Sequence, residues 1–133
     1  MIRLPGVLRR RRSLGARGED AAARLMRRSG CRVVARNLDL GFGELDLVCE
    51  DRSDGALVVV EVKARMGSAR DPRSGSPESS ITDAKRAKLR SLTSALMREE
   101  RWRGRAVRID VVAVVFTRGR RRPVAIRHYK SAV

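Results

Sequence analysis

The chemistry that this sequence suggests most clearly lies in an aspartate and a Glu-x-Lys tripeptide. Asp46, with Glu44 two residues before it, falls on one predicted strand, and Glu61 and Lys63 fall on the next. Side chains alternate across a strand, so each pair shares one face. Two carboxylates that come close together repel each other unless a cation or a proton lies between them. Their oxygen atoms therefore predict a hard divalent metal, Mg²⁺ or Mn²⁺.

Lys63 and Glu19 extend this predicted metal site. The ammonium of Lys63 can orient or activate a water for attack on phosphorus, or stabilise the charge that develops there. Glu19 lies on or beside the inward face of the first predicted helix, whose apolar stripe includes Ala22 and Met26. From that position its carboxylate can hold a second metal ion. Together these residues predict hydrolysis of phosphodiester bonds.

Seven predicted elements place these residues in a single α/β domain. In chain order they are a helix over about Ser13–Ser29, strands over Cys31–Arg36, Glu44–Cys49 and Ala56–Arg65, a helix over about Thr82–Glu99, and strands over Val107–Phe116 and Val124–His128. The order α-β-β-β-α-β-β predicts a mixed central sheet flanked by helices. The apolar run 57–60 indicates a central strand covered on both faces. Glu61 and Lys63 follow at its end, where open α/β sheets commonly bind ligands.

The connections between these elements affect the site in two ways. A hairpin about Arg52–Ser53 sets Asp46 roughly opposite Val59–Val60, so a modest register offset or a bulge is needed to bring Asp46 to Glu61. Met66–Ser80 is rich in Ser, Gly, Pro and charge, which predicts a long loop that is either a lid or disordered. Residues 1–13 form a predicted basic arm, and residues 14–133 form the predicted nuclease-like domain.

The charge of the chain favours a polyanionic partner. Its formal net charge is +16 and its pI is near 11.6. Residues 37–65 are the exception, with three basic and seven acidic side chains. An acidic segment inside a strongly basic chain fits a metal site within a nucleic-acid-binding surface, although the charge alone does not distinguish DNA from RNA. A compositional bias of the genome towards arginine is the alternative explanation of the charge, since only four of the 31 basic residues are lysine. Arg17, Arg65 and Lys85 flank the predicted site and are the candidate phosphate contacts, although Lys85 falls on the outward face of the second predicted helix.

Several other classes of protein are disfavoured. Two cysteines, Cys31 and Cys49, are too few for a zinc site or a disulfide framework, and His128 is the only histidine. No stretch resembles a signal peptide or approaches the roughly 20 apolar residues of a membrane span, so we expect a cytoplasmic protein without a membrane partner. Aromatic residues make up only 3% of the chain, which leaves little for base stacking.

The motifs resemble the YraN-type family of bacterial proteins, which are described as endonuclease-like and uncharacterised. The matching stretches are Leu14–Ala22, Arg36-Asn37, Gly43–Val48, Val59–Arg65, Lys85 and Ile109–Val112. That family is similar to the restriction-endonuclease-like superfamily, which includes archaeal Holliday-junction resolvases. The resemblance therefore implies a restriction-endonuclease-like fold for nearly everything from Leu14 to His128. The C-terminal segment departs from the family's usual ending, and the basic arm lies outside the match.

The resemblance also implies roles for individual residues. Asp46 and Glu61 would be metal ligands, with the carbonyl of Val62 as a third ligand. Lys63 would be the catalytic lysine, and Glu19 the helix carboxylate of resolvase-like members. Glu44 precedes the metal aspartate in the family and is counted with the catalytic set.

Three functions remain open on the sequence. The first is a Mg²⁺- or Mn²⁺-dependent endonuclease acting on DNA, with branched or damaged structures suggested by superfamily analogy; a symmetric junction would suit a homodimer. The second is a nucleic-acid-binding protein whose nuclease-like site is weak or inactive. The third is a basic accessory protein of RNA or the ribosome, which ranks lowest because a buried ionic cluster costs desolvation and needs a compensating use.

Overall fold

Two helices and five strands build the domain in the computed structural model, which describes residues 12–67 and 81–133. The elements are α1 (Leu14–Arg28), β1 (Cys31–Asp39), β2 (Glu44–Asp51), β3 (Leu57–Met66), α2 (Asp83–Met97), a 3₁₀ helix (Glu100–Trp102), β4 (Val107–Phe116) and β5 (Ala125–Tyr129). This confirms the predicted order of elements. The predicted arm over residues 1–13 and the predicted loop Met66–Ser80 fall mostly outside the described residues.

Both helices begin at residues whose side chains satisfy a free backbone amide. The hydroxyl of Ser13 accepts a hydrogen bond from the amide of Ala16 at 3.1 Å, and that of Thr82 accepts one from Lys85 at 3.1 Å. Such N-caps satisfy donors that have no partner within the helix. At the other end of α1, Gly30 adopts a φ of 91°, which favours glycine and ends the helix. The helix that carries Glu19 is therefore fixed at both ends by local sequence.

The five strands form one mixed sheet in the order β1-β2-β3-β4-β5. Only the β3–β4 pair is parallel, and α2 supplies the crossover that a parallel pair requires. Because β3 and β4 run in the same direction, both end on the same side of the molecule. The antiparallel strand β2 begins there. We call this side, marked by Glu44, Met66 and Phe116, the site end of the sheet.

The core has two layers, one on each face of the sheet. Val58 and Val60 of β3 pack towards α1, and Leu57 and Val59 pack towards α2; all four are fully buried. This confirms β3 as a central strand covered on both faces. At roughly 1.5–3 kcal/mol for each fully buried valine or leucine, β3 is a strongly held platform for the residues that follow it.

Helix α1 lies unusually close to β3 at one point. A Cβ atom placed on Gly18 would lie 2.6 Å from the Cβ of Ala64 and 3.4 Å from Cγ1 of Val62. No side chain fits in that gap, so glycine is required there for the helix to approach the strand. The contact places Glu19, the next residue, at the level of Val62 and Ala64.

Neither helix within residues 12–67 and 81–133 has the length and the apolar character of a membrane span.

Candidate active site

Asp46 lies where β2 separates from β3. The antiparallel ladder between these strands ends at the pair Leu47 and Val60. One step further, the amide of Val62 donates its hydrogen bond to Oδ2 of Asp46 at 2.8 Å. The carboxylate thus replaces a backbone partner at the fork. The predicted register, with Asp46 opposite Val59–Val60, was wrong: the observed pairing, continued by one residue, brings Asp46 level with Glu61 without a further offset.

β2 and its other neighbour, β1, are both irregular at the level of Asp46. Leu45 and Leu47 lie two residues apart, yet they pack on opposite faces of the sheet. On β1, Asn37 lies between the residues paired with them and has a φ of 49°, a conformation that asparagine adopts more readily than most residues. The regular alternation assumed for Glu44 and Asp46 is therefore wrong. Glu44 lies exposed at the start of β2, opposite Asp39.

Glu61 and Lys63 share one face of β3, as predicted. Glu61 is only 5% exposed. Its Oε1 lies 4.0 Å from the Nζ of Lys63 and 3.4 Å from the Nζ of Lys85, which reaches across from α2. The predicted outward position of Lys85 was wrong, because its half-buried side chain turns towards this carboxylate. One buried carboxylate therefore lies between two partly exposed ammonium groups.

Burial and a second carboxylate make Glu61 difficult to ionise. Burial contributes most to raising its pKa above the ordinary range, and the charge of Asp46 raises it further. Lys85 and Lys63 act in the opposite direction but do not cancel the effect. A cation held between the two carboxylates would favour the charged form of Glu61. The electrostatics therefore fit the metal that the sequence predicts.

Glu19 lies at the same level of the sheet but on the face that packs against α1, across the sheet from Glu61 and Lys63. Its Oε1 is buried and has no hydrogen-bond partner among the described residues. Arg17 and Glu19 lie about 200° apart around α1, and Arg17 contacts the connection after β4. Glu19 must therefore lie on the other flank, towards β1 and β2. A buried carboxylate oxygen without a protein partner is costly, which is consistent with a cation or a water as its partner.

The donor chemistry fits a divalent cation, but the coordination shell is incomplete. Within residues 12–67 and 81–133, no three His, Cys, Asp or Glu side chains converge closely enough to hold a metal ion. The ligands that remain are the carboxylates of Asp46 and Glu61. Val62, whose carbonyl is the expected third ligand, has its amide held by Asp46. Oxygen donors of this kind suit Mg²⁺ or Mn²⁺ better than they suit zinc.

The two arginines predicted to hold phosphates occupy different environments. The guanidinium of Arg17 donates to the carbonyls of Arg120 and Arg121 at 2.9 and 3.2 Å, and its Cζ lies 4.3 Å from the ring centroid of Phe116. Arg17 therefore makes structural contacts within the protein. Arg65 follows two residues after Lys63 on β3, so the alternation of the strand places it on the same face.

A buried ionic network on the α1 face of β4 was missed in the sequence. Asp110 is fully buried and receives hydrogen bonds from Arg108 Nε at 3.1 Å and from the amide of Ser131 at 2.9 Å. Nε2 of His128 lies 2.8 Å from its other oxygen, and Arg108 also pairs with Asp51.

The sequence feature that could have revealed this network is Asp110, a lone aspartate in the apolar strand β4. This network holds the C-terminal segment. Asp110 is paired with Val60 in the β3–β4 ladder, one residue from Glu61, but alternation places it on the face that packs against α1, whereas Glu61 faces α2.

The cysteines take no part in the site. Cys31 and Cys49 are both free and buried. Burial raises the pKa of Cys49 to about 12, so its thiol stays protonated at neutral pH.

Fold and site together define a class: a restriction-endonuclease-like α/β domain with two carboxylates and a lysine at a strand fork. The model of the Uncharacterised protein family UPF0102 matches residues 18–114. The chain is 40% identical to a UPF0102 protein of Pelotomaculum thermopropionicum, over 92% of this chain and 96% of that protein. A UPF0102 protein of Roseiflexus castenholzii is 43% identical over 93% of this chain and 95% of its own length. This chain therefore belongs to UPF0102, the YraN-type family that its motifs resembled.

Proposed function

We propose that this protein is a divalent-metal-dependent endonuclease that hydrolyses phosphodiester bonds in DNA. One observation carries the proposal: Asp46 and Glu61 lie at a fork between two strands, close enough for the charge of Asp46 to raise the pKa of the Glu61 carboxyl, with Lys63 beside them. A purely structural ion pair would not need two adjacent carboxylates. Mg²⁺ or Mn²⁺ bound by Asp46, Glu61 and the Val62 carbonyl would neutralise charge on the phosphate and lower the pKa of a water.

The protein's own residues supply position and charge for this reaction. The hydrogen bond from Val62 fixes the carboxylate of Asp46, so its direction is set before substrate binds. Lys63 is 38% exposed, so its ammonium can reach both solvent and a bound phosphate. In hydrolysis, the oxygen of water bonds to phosphorus, the bond to the leaving sugar oxygen breaks, and that oxygen takes up a proton. Lys63 stabilises the negative charge that develops on the phosphate oxygens.

The proposed substrate is DNA, with branched or otherwise structured DNA as the preferred form. The charge of +16 supports a polyanion, and superfamily analogy supports the branched structure. Homodimerisation would match the symmetry of a junction.

One observation favours the alternative, a nucleic-acid-binding protein with a weak or inactive site. Lys85 lies nearer to Glu61 than Lys63 does, at 3.4 against 4.0 Å, so its ammonium can take the place of a cation on that carboxylate. In that case Glu61 would serve as a buried counterion, and nucleic acid would bind without being cut.

A cleavage assay with matched variants tests the proposal. Duplex, single-stranded and branched DNA and RNA are incubated with the protein in Mg²⁺, Mn²⁺ or chelator. Asp46→Asn keeps an acceptor for the Val62 amide, and Lys63→Met keeps an unbranched aliphatic stem; each should lower the rate of DNA cleavage about 100-fold or more. Asp39→Asn is the control, because within residues 12–67 and 81–133 the Asp39 side chain accepts one hydrogen bond, from the Gly41 amide at 2.8 Å. Cleavage that persists in chelator or in both variants would overturn the assignment.

A further inference from the structure

Four exposed arginines form a compact patch after β4. Arg118, Arg120, Arg121 and Arg122 are all exposed in the connection to β5, which we call the arginine loop. No acidic residue occurs between Thr117 and Val124. Among the described residues, none of the four arginines forms an ion pair with a carboxylate, whereas Arg105 and Arg108 do. Their charges are therefore available to a partner outside the protein.

Helix α1 holds the backbone of this loop in one conformation. Arg17 stacks on Phe116 and donates to the carbonyls of Arg120 and Arg121, while the amide of Val124 closes the loop on Val115 at 2.8 Å. These carbonyl oxygens would repel a phosphate if they faced it. Here each accepts a hydrogen bond from the guanidinium of Arg17. The loop thus presents arginine side chains on an ordered backbone, which reduces the entropy lost on binding.

The arginine loop lies at the site end of the sheet. In the parallel β3–β4 pair, Lys63 is paired with Ala113 and Met66 with Phe116. Arg118 is five residues beyond Ala113, a distance of about 16 Å at most along an extended chain. Duplex DNA rises about 3.4 Å per base pair, so this distance spans about five base pairs. One duplex can therefore contact the loop and the candidate site at the same time.

The surface around the site favours a duplex backbone over unpaired bases. Guanidinium groups pair with phosphate oxygens in a bidentate manner, which suits arginine for backbone contacts. Among the described residues, base stacking has few partners: Arg17 covers Phe116 and Trp102 is buried. Phe42 is 48% exposed, with Nζ of Lys88 4.8 Å from its ring centroid. We infer that the arginine loop, anchored by Arg17, is the docking site for the phosphate backbone of duplex DNA. Its alignment with the site rests on the proposed function, while the binding itself does not.

Binding of labelled duplex DNA, measured by fluorescence anisotropy in chelator at several salt concentrations, tests this inference. The loop variant replaces Arg118, Arg120, Arg121 and Arg122 by glutamine. The control variant replaces four exposed arginines near the opposite end of the molecule: Arg24, Arg27, Arg28 and Arg52. Each variant has four fewer positive charges than the wild type. The loop variant should bind at least about 10-fold more weakly, with a salt slope lower by about 3 to 4, roughly one unit for each phosphate that the four arginines no longer neutralise. The control should stay within about 2-fold of the wild type.

A second variant tests the anchor without changing the net charge. Arg17→Lys keeps the charge but removes the planar stacking on Phe116 and the paired hydrogen bonds to the two carbonyls, so affinity for duplex DNA should fall several-fold. Thermal melts verify that the loop variant and Arg17→Lys are folded at the temperature of the binding assay.

Three results would overturn the inference: equal weakening in the loop and control variants, unchanged affinity in Arg17→Lys, or tighter binding of single-stranded DNA or RNA than of duplex DNA. Failure of the proposed function looks different. In that case the loop effect would remain in chelator, and no cleavage would follow when Mg²⁺ is added.

Discussion

At the scale of single residues, the ionisation of Glu61 links stability to function. The folded protein raises the pKa of this carboxyl, so it holds its proton more tightly than the unfolded chain does. Ionising it therefore costs stability, and the loss develops as pH rises from the ordinary carboxyl range through the raised pKa. A bound cation would reverse this cost. Catalytic carboxylates are often placed where they destabilise the fold in this way.

Replacing Glu61 by glutamine should stabilise the metal-free protein and, under the proposed function, abolish cleavage. Glutamine fills a similar volume without the charge, so Glu61→Gln should raise the melting temperature above pH 7 by roughly 2–5 °C. Near pH 4 the difference should shrink, because the wild-type carboxyl is then protonated. Thermal melts followed by circular dichroism at several pH values measure both effects. Glu44→Gln is the control, since Glu44 is exposed; a Glu61→Gln variant less stable than the wild type at pH 8 would contradict this account of the carboxyl.

At the scale of elements, the site depends on how closely α1 approaches β3. Gly18 allows that approach, and the residues on either side of it, Arg17 and Glu19, reach opposite flanks of the helix. One glycine therefore sets the position of both the arginine loop's anchor and the buried helix carboxylate.

Gly18→Ala should destabilise the fold, whereas Gly15→Ala should not. The added methyl group at position 18 would lie 2.6 Å from the Cβ of Ala64, so helix or strand must shift, at a cost of about 1–3 kcal/mol. At position 15 no atom lies within 4 Å, and alanine favours the helix by up to about 1 kcal/mol. Urea denaturation of the two variants measures the free energy of unfolding. Equal effects of both substitutions would show that the close contact does not limit stability.

The sequence predicted the elements better than it predicted their distortions. Apolar runs and caps define the helices and strands, and alternation alone placed Glu61 and Lys63 on one face. At the fork, the side chain of Asp46 replaces a ladder hydrogen bond, and Asn37 on the other side of β2 has a left-handed conformation. Neither feature follows from the alternation of side chains along a strand, on which the sequence prediction was based. The contacts of Lys85 and Arg17 also escaped prediction, because long side chains cross between elements whose relative placement only the tertiary structure fixes.

At the scale of the whole molecule, the candidate site and the buried ionic network lie on different faces of one sheet. Glu61 and Lys63 lie on the face that packs against α2, and the arginine loop follows the end of β4. Asp110 is paired with Val60, one residue from Glu61, but lies on the face that packs against α1. Its carboxylate is within hydrogen-bond distance of Arg108, His128 and Ser131. The carboxylate of Asp110 is therefore paired within the protein, whereas Asp46 and Glu61 lie close together and are costly without a cation.

Calorimetric titration of Mn²⁺ into the whole protein measures whether Asp46 and Glu61 bind a metal ion together. We expect at least one Mn²⁺ site in the wild type and in the Asp39→Asn control, and loss of that site in both Asp46→Asn and Glu61→Gln, since each removes one of the two carboxylates at the fork. Circular dichroism would verify that the variants are folded. Mn²⁺ binding of equal affinity in all four proteins, or no binding in the wild type, would contradict the claim that Asp46 and Glu61 form a metal site.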